Sequence, residues 1–221
     1  MQWVKEMING PEVPPISGIK PDSIVIFLHG YGSNGYNLID IAKFLAREMP
    51  NTQFLSPNAI EPFEYDMADG YQWFSLMDRT PEVIDRLASK AADKLNEFLD
   101  HIMVRFDLPA SKVILFGFSQ GSMMSLYTAL RRDEAIAGVI GFSGRLIGAS
   151  NLADEIKSKP TVALYHGDYD DVVPFACMNE AEVKLKELGV KVSSHKMPYA
   201  GHEITLEAIQ DAKEKILSLL N

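Results

Sequence analysis

Ser119 has the sequence surroundings of a catalytic nucleophile. It stands at the centre of GFSQG, after the apolar run KVILFG and before SMMSLYTALRR, whose pattern predicts a helix. In a G-x-S-x-G turn between a strand and a helix, the serine occupies a strained backbone position, and side chains two residues away would collide unless they were small. The helix also directs its positive end, and the N–H of Gln120, toward the reacting oxygen. These features predict attack by Ser119 on a carbonyl carbon.

A serine nucleophile requires a base and an orienting carboxylate, and residues later in the chain supply both. The order expected for a sheet of this kind is serine, then acid, then histidine. His202, in YAGHEI between the last predicted strand and the last predicted helix, is the expected base. The acid lies in HGDYDDVVP, where spacing alone leaves Asp168, Asp170 and Asp171 as alternatives.

Two similar features are interpreted as structural. GFSGR also places a serine, Ser143, after a strand, but Arg145 occupies the second glycine position and no clear helix follows. Ser143 is therefore expected in a loop near a strand end. His195 lies inside the last predicted strand, where a hydrogen-bonded structural histidine is expected.

The loop LHGYGSNG, residues 28–35, matches G-x-G-x-x-G, the pattern of a dinucleotide-binding loop. Such a site requires an acid at the end of the next strand to hold the ribose hydroxyl. The next strand ends in FLSPNA, without an acid, and Glu48 belongs to the preceding helix pattern. The sequence therefore disfavours a nicotinamide or flavin oxidoreductase. His29 is expected to be structural at this turn.

The elements around these residues alternate between strands and helices. Short apolar runs predict strands at 24–28, 53–55, 112–116, 137–142, 161–165 and 191–196, and apolar residues at helical spacing predict helices after Thr80 and at 38–47, 181–188 and 204–220. Strands that are apolar on both faces are typical of a parallel sheet covered by helices. The chain is therefore predicted to be one α/β domain over residues 1–221, with a long, aromatic-rich irregular segment at 56–80 that is expected to be functional.

Composition excludes several classes of function. The formal net charge is −9 and no basic patch is present, so nucleic-acid binding is not expected. A single cysteine, Cys177, cannot form an internal disulfide. No apolar run reaches the ~20 residues of a membrane helix, and MQWVKEMINGPEVPP lacks the continuous apolar core of a signal peptide. A soluble, cytoplasmic protein without an integral membrane segment is expected.

Taken together, LHGYGSNG, GFSQG, HGDYDDVVP and YAGHEI resemble the phospholipase/carboxylesterase family of α/β-hydrolases, which includes carboxylesterases, lysophospholipases and acyl-protein thioesterases. The resemblance covers the chain from about Ser23 to its end. It implies an α/β-hydrolase fold without a large lid domain, a mostly parallel sheet with helices on both faces, and no metal or organic cofactor. The family pattern H-G-x-x-D-x-x-V-P selects Asp170 as the acid, beside Ser119 and His202.

The resemblance also implies an oxyanion hole made by the backbone N–H groups of Tyr31 and Gln120. Family members commonly carry an acid after a Trp-Phe pair, whereas WFSL has Ser75 at that position. Homodimers are common in the family, which implies a homodimer by analogy only.

The expected function is a carboxylesterase that acts on short to medium acyl chains of a small-molecule or lipid-like ester. The alternative is a lysophospholipase or acyl-protein thioesterase that acts on longer chains. An apolar substrate pocket formed by Trp73, Phe74, Leu76 and Val173 is a further expectation, with core packing as the alternative interpretation of these four residues.

Overall fold

A computed structural model describes residues 8–65 and 69–221 of the 221-residue chain. Within these ranges a seven-stranded sheet has the order β1-β3-β2-β6-β7-β8-β9, and all neighbours are parallel except β1 and β3. Its strands are β1 Glu12–Val13, β2 Ser23–Leu28, β3 Thr52–Leu55, β6 Val113–Phe118, β7 Gly138–Phe142, β8 Thr161–Gly167 and β9 Val192–Met197. All six strands expected from the sequence are present, with bounds shifted by one or two residues at most ends. The prediction about a signal peptide falls largely on residues 1–7, which lie outside the described ranges.

The central strands are apolar on both faces because both faces are covered. In β2, Ile24, Ile26 and Leu28 point into one hydrophobic cluster, and Val25 and Phe27 point into the other. All five are fully buried. The sheet therefore has the two-sided core that its continuous apolar runs predicted.

Helices occupy both faces of the sheet. The helices α3 Pro81–Phe106, α4 Gln120–Arg131, α5 Leu152–Glu155 and α6 Ala176–Glu187 pack on one face, and α1 Tyr36–Ile39, α2 Ala42–Leu45 and α7 Leu206–Leu220 pack on the other; a short 3₁₀ turn spans Ala110–Lys112. The expected mostly parallel sheet with helices on both faces is confirmed. Helix α3 begins as predicted, with Thr80 at the N-cap, Pro81 in the first position and Glu82 in the first turn.

Two helix predictions need correction. The segment 38–47, expected to be a single helix, forms two short helices. The break arises because N–H groups here bond to the carbonyl three residues earlier, as in a 3₁₀ turn. The Ile41 N–H donates to the Leu38 carbonyl, and the Phe44 N–H donates to the Ile41 carbonyl. The helix expected at 181–188 begins five residues earlier, at Ala176. Met178 extends its buried stripe N-terminally from Ala181.

The long irregular segment contains structure that the sequence did not indicate. Strands β4 Glu61–Pro62 and β5 Tyr71–Gln72 form an antiparallel hairpin that stands outside the main sheet. Residues 66–68 of this segment lie outside the described ranges. This hairpin lies outside the α/β core. The part of the chain that the structure describes contains no large lid domain.

The carboxyl ends of the parallel strands meet at one edge of the sheet, where α/β proteins place their sites. The loops after β2, β6, β8 and β9 carry Tyr31, Ser119, Asp170 and His202 respectively. Across residues 8–65 and 69–221, none of the helices combines the length and apolar character that crossing a bilayer requires.

Candidate active site

Ser119 lies in a strained turn between β6 and α4. Its φ is 53° and its ψ is −117°, a backbone conformation that non-glycine residues rarely adopt. Two backbone hydrogen bonds fix this conformation, because the Ser119 N–H donates to the Phe142 carbonyl at 2.8 Å and its own carbonyl accepts from the Met123 N–H at 3.1 Å. The turn holds the serine at the N-terminus of α4, as the G-x-S-x-G pattern predicted.

The two glycines of GFSQG are required by close packing. A Cβ on Gly117 would lie 2.4 Å from the Gly121 carbonyl oxygen, and a Cβ on Gly121 would lie 1.8 Å from the Leu28 carbonyl oxygen. Both distances are far shorter than atomic contact allows. Any side chain at these two positions would therefore displace the nucleophile turn or the end of β2.

Asp170 and His202 form a hydrogen-bonded pair at the same edge. Oδ2 of Asp170 lies 2.8 Å from Nδ1 of His202, and Oδ1 accepts from the N–H groups of Val172 at 2.9 Å and Val173 at 2.8 Å. Burial opposes ionisation of this carboxyl, but the bonds from His202 and from the two N–H groups hold its pKa below the usual range. An ionised Asp170 accepts a hydrogen bond from the Nδ1–H of His202, which leaves Nε2 of His202 with its lone pair available.

The imidazole also contacts the nucleophile turn. The ring of Phe118, which precedes Ser119, lies 4.9 Å from the ring of His202, measured between centroids. The structure thus joins the expected acid to the expected base and places the base against the residue that precedes Ser119.

The other two aspartates of the acid loop have different surroundings. Asp168 accepts from the Tyr199 N–H at 2.7 Å and lies 3.4 Å from Nζ of Lys196, while Asp171 is exposed. Of the three aspartates that spacing left open, Asp170 is the one that contacts His202. A further contact, which the sequence did not indicate, joins Nε2 of the buried His166 to Oδ2 of Asp170 at 3.2 Å.

The loop after β2 approaches the nucleophile closely. A Cβ on Gly30 would lie 3.3 Å from the Ser119 Cβ. Tyr31 follows this glycine, so its backbone lies beside the nucleophile turn. Gln120 is the first residue of α4, and its N–H therefore has no acceptor within the helix.

The Gln120 side chain fixes the aromatic segment to the same turn. Its Oε1 accepts from the Trp73 N–H at 2.9 Å and its Nε2 donates to the Phe74 carbonyl at 2.7 Å. Nε1 of the Trp73 indole donates to the His29 carbonyl at 3.0 Å. Trp73 and Phe74 are fully buried in the core, in agreement with the core-packing interpretation; a contact of either residue with substrate stays a prediction. Their backbone is held under the nucleophile turn, so their rings point inward.

The other expected pocket residues lie near this segment. Leu76 is half-buried and packs against the core, and Val173 is buried on the acid loop. A contact of either residue with substrate stays a prediction. Neither of them lines the groove of about 940 Å³ that runs between α3, the loop after β7 and α6.

Glu64 is a site residue that sequence reasoning missed. Its carboxylate accepts hydrogen bonds from the Tyr31 hydroxyl, from the Leu76 N–H at 3.1 Å and from Nε2 of Gln72 at 3.3 Å. Burial opposes its ionisation, but these bonds and one from the Ser75 hydroxyl hold its pKa below the usual range. Glu64 therefore supplies a carboxylate next to the Trp-Phe pair, where the family commonly has an acid and this chain has Ser75. The only sequence signal was an acid within a loop segment rich in aromatics.

The glycine loop has no room for a dinucleotide cradle. Gly35 donates its N–H to Oδ1 of Asn58 at 2.9 Å, and a Cβ on it would lie 1.9 Å from the Ser56 carbonyl oxygen. The helix that follows has only four residues. The Gly35 N–H is thus occupied, and the helix that follows is too short to bind a pyrophosphate at its N-terminus.

The histidines and serine interpreted as structural are buried or packed against neighbouring side chains. His29 is fully buried, its Nε2 accepts from the Ala59 N–H at 2.9 Å, and burial lowers its pKa to about 4. His195 lies in β9 and stacks on Tyr165 at 4.7 Å. Ser143 follows β7 with a φ of 48°, and its buried hydroxyl has no partner among the described residues.

Comparisons with known proteins agree with this architecture. The sequence profile of the phospholipase/carboxylesterase family matches residues 15–220. The chain is similar to acyl-protein thioesterase 1 of Neurospora crassa, with 27% identity over 210 residues that cover 88% of this chain and 85% of the relative. It is also similar to the crystal structure of esterase PE8, with a TM-score of 0.91 and 36% identity over 97% of this chain and 100% of that one. The Bacillus cereus carboxylesterase shares the fold, with a TM-score of 0.77 and 18% identity over 97% of this chain and 96% of that one.

Proposed function

Because the chain belongs to the phospholipase/carboxylesterase family and has its α/β-hydrolase fold, we propose that it is a serine hydrolase that cleaves carboxylic esters, with Ser119 as nucleophile, His202 as base and Asp170 as orienting acid. The observation that supports this most directly is the 2.8 Å contact between Asp170 and His202 beside a serine with positive φ. The pair sets the imidazole tautomer that a base requires.

In the proposed reaction, Nε2 of His202 removes the hydroxyl proton of Ser119 as Oγ attacks the ester carbonyl. The bond from carbonyl carbon to Oγ forms, and the negative charge moves to the carbonyl oxygen. The backbone N–H groups of Tyr31 and Gln120 would stabilise this oxyanion, and each such donor is worth roughly 10²- to 10³-fold in rate. His202 then gives its proton to the departing alcohol, and water releases the acid from Ser119 by the same steps.

Substrates with short to medium acyl chains fit this proposal best. The described part of the chain has no large lid to cover a long acyl chain. Hydrolysis of thioesters or longer chains is the alternative, which the name of the Neurospora relative favours.

The test is hydrolysis of 4-nitrophenyl esters with two to sixteen carbons, beside a lysophospholipid and a palmitoyl thioester. We expect the highest kcat/KM at short to medium length, loss of activity in Ser119→Ala, and fluorophosphonate labelling of the wild type only. A strict requirement for palmitoyl substrates would overturn the expected chain length. A wild-type protein that neither labels nor hydrolyses any ester would overturn the proposed function.

A further inference from the structure

A groove of about 940 Å³ runs between α3, the loop after β7 and α6. Arg145 and Cys177 lie on its wall. Gly144, next to Arg145, packs on the nucleophile turn, because a Cβ built there would lie 3.2 Å from the Ser119 carbonyl oxygen. Burial is the largest influence on the pKa of the Cys177 thiol, which it raises; the charges of Glu180 and Asp170 also raise this pKa, and the charge of Arg145 lowers it. The Arg145 end of the groove therefore adjoins the nucleophile turn through Gly144.

Arg145 carries a positive charge without a protein partner at this end. The residue is half-buried, and its Nε is buried without a hydrogen bond. Within residues 8–65 and 69–221, no carboxylate forms an ion pair with its guanidinium. A neighbouring cavity of about 10 Å³, lined in part by Ser122 and Arg145, is large enough for one water molecule. Such a water would satisfy Nε but would leave the charge uncompensated.

The acidic residues that line the groove lie at its other end, away from Arg145, or are exposed to solvent. Glu155 pairs with Arg131 at 2.6 Å, and a Cβ on Gly148 would approach Asp85 and Arg131 together, at 2.5 and 2.9 Å. The charges at the far end of the groove are thus compensated within the protein. Glu82 and Glu180 are exposed. A partly buried cation that no acid neutralises is costly, and an anionic ligand would remove that cost.

We infer that Arg145 binds an anionic group of the substrate, a carboxylate or a phosphate, while the ester carbonyl lies at Ser119. This inference rests on the proposed function and deepens it. The natural substrates are then esters that carry a negative charge a few bonds from the scissile carbonyl, such as monoesters of dicarboxylic acids. A guanidinium suits this role because its planar donors match two oxygens of one anion.

The test uses two matched pairs of substrates that place the charge on opposite sides of the ester bond. On the acyl side, mono(4-nitrophenyl) glutarate is compared with 4-nitrophenyl valerate. On the alcohol side, 4-(butyryloxy)benzoate is compared with its methyl ester. The quantity measured is the ratio of kcat/KM for the charged substrate to kcat/KM for its neutral partner. Background hydrolysis is subtracted with Ser119→Ala.

In at least one pair, Arg145→Gln should lower this ratio roughly 10- to 100-fold, the range for a lost hydrogen bond to a charged group. The loss should appear mainly in KM, because the anion is bound equally before and during the reaction. Arg145→Lys should keep part of the ratio. Arg47→Gln, which removes an exposed arginine at the C-terminal end of α2, should leave both ratios unchanged.

An unchanged ratio in both pairs for Arg145→Gln would overturn this inference while leaving the proposed hydrolase intact. Thermal unfolding of each variant distinguishes a lost contact from a lost fold. If Arg145→Gln does not fold, a ratio in folded Arg145→Lys equal to that of the wild type for both pairs, with unchanged KM, would also overturn the inference. If the wild type hydrolyses other esters but none of these four, this inference alone is wrong; if it neither labels with fluorophosphonate nor hydrolyses any ester, the proposed function and this inference are both wrong.

Discussion

Asp170 and His202 are 32 residues apart in the chain, yet Oδ2 of the carboxylate lies 2.8 Å from Nδ1 of the imidazole. The other oxygen, Oδ1, accepts two backbone N–H groups, so the orientation of the carboxylate is fixed from both sides. Because the orientation of the carboxylate is fixed, replacing Asp170 with asparagine should have a specific effect on the tautomer of His202.

Asp170→Asn should lower kcat roughly 10²- to 10⁴-fold without unfolding the protein. The backbone N–H groups of Val172 and Val173 would hold the amide oxygen, so the amide nitrogen would face His202 and force the proton onto Nε2. The imidazole would then be unable to act as a base. Steady-state hydrolysis of 4-nitrophenyl butyrate measures the effect, with exposed Asp171→Asn as the control. A kcat in Asp170→Asn above a tenth of the wild-type value would contradict the assigned role.

The stability conferred by Asp170 should depend on pH. Its pKa is lowered in the folded protein, so its contribution to the free energy of unfolding is present above its unfolded pKa of about 3.9 and is lost as pH falls through the lower, folded pKa. Urea unfolding of wild type and Asp170→Asn between pH 7 and pH 2.5 tests this. The difference in unfolding free energy should be largest near pH 7 and shrink below about pH 4. A difference that is constant across this range would count against the ionised carboxylate.

Gly121→Ala should destabilise the protein by more than about 3 kcal/mol, because the added Cβ meets the Leu28 carbonyl, which cannot rotate away. Ser122→Ala, at the next position of the same helix, should be neutral or slightly stabilising because the buried Ser122 hydroxyl has no hydrogen-bond partner among the described residues. Thermal and urea unfolding of both variants gives the comparison. Equal stability of the two would show that β2 can move away from the nucleophile turn.

Glu64→Gln should lower kcat about tenfold with little change in KM, because Glu64 holds the Tyr31 ring whose backbone N–H is proposed to face the oxyanion. Burial and the Glu64 carboxylate both raise the pKa of the Tyr31 phenol, so the substitution should lower that pKa. A double-mutant cycle with Tyr31→Phe tests the pairing. The losses in kcat caused by Glu64→Gln and Tyr31→Phe should be less than additive when the two substitutions are combined. Full additivity, with an unchanged tyrosine titration, would mean that Glu64 acts elsewhere.

The sheet was predictable because its strands are short apolar runs between strong turn signals. Runs such as SIVIFL and VILFGF are too apolar for a solvent-exposed surface, so they are expected in the core. Each is followed by a loop whose glycines or acids mark the end of the strand. The hairpin β4–β5 was not predictable, since two-residue strands that include Pro62 carry no periodic signal. The break between α1 and α2 was missed for a different reason, because apolar spacing does not distinguish i→i+3 from i→i+4 hydrogen bonding.

The positions of Ser119, Asp170 and His202 followed from motifs tied to loops at strand ends. Their catalytic roles stay predictions. Glu64 and Arg145 could not be found in this way, because their roles depend on what surrounds them. Glu64 matters through donors from two separate segments, the loop at Tyr31 and residues 72–76, and Arg145 matters because no acid pairs with it in the described structure. Such features arise from packing between distant parts of the chain, which spacing along one segment does not encode.

The order of the sheet has a consequence for how activity is acquired during folding. The proposed nucleophile follows the central strand β6, whereas the proposed base follows β9, which lies at the edge and is the last strand of the chain. Parallel pairing between such distant segments is slow, because each contact closes a long loop of chain. A ribosome-bound chain that lacks residues 192–221 would carry Ser119 without His202. Regain of esterase activity after dilution from urea should therefore follow the completion of the whole sheet, later than the recovery of helix signal by circular dichroism.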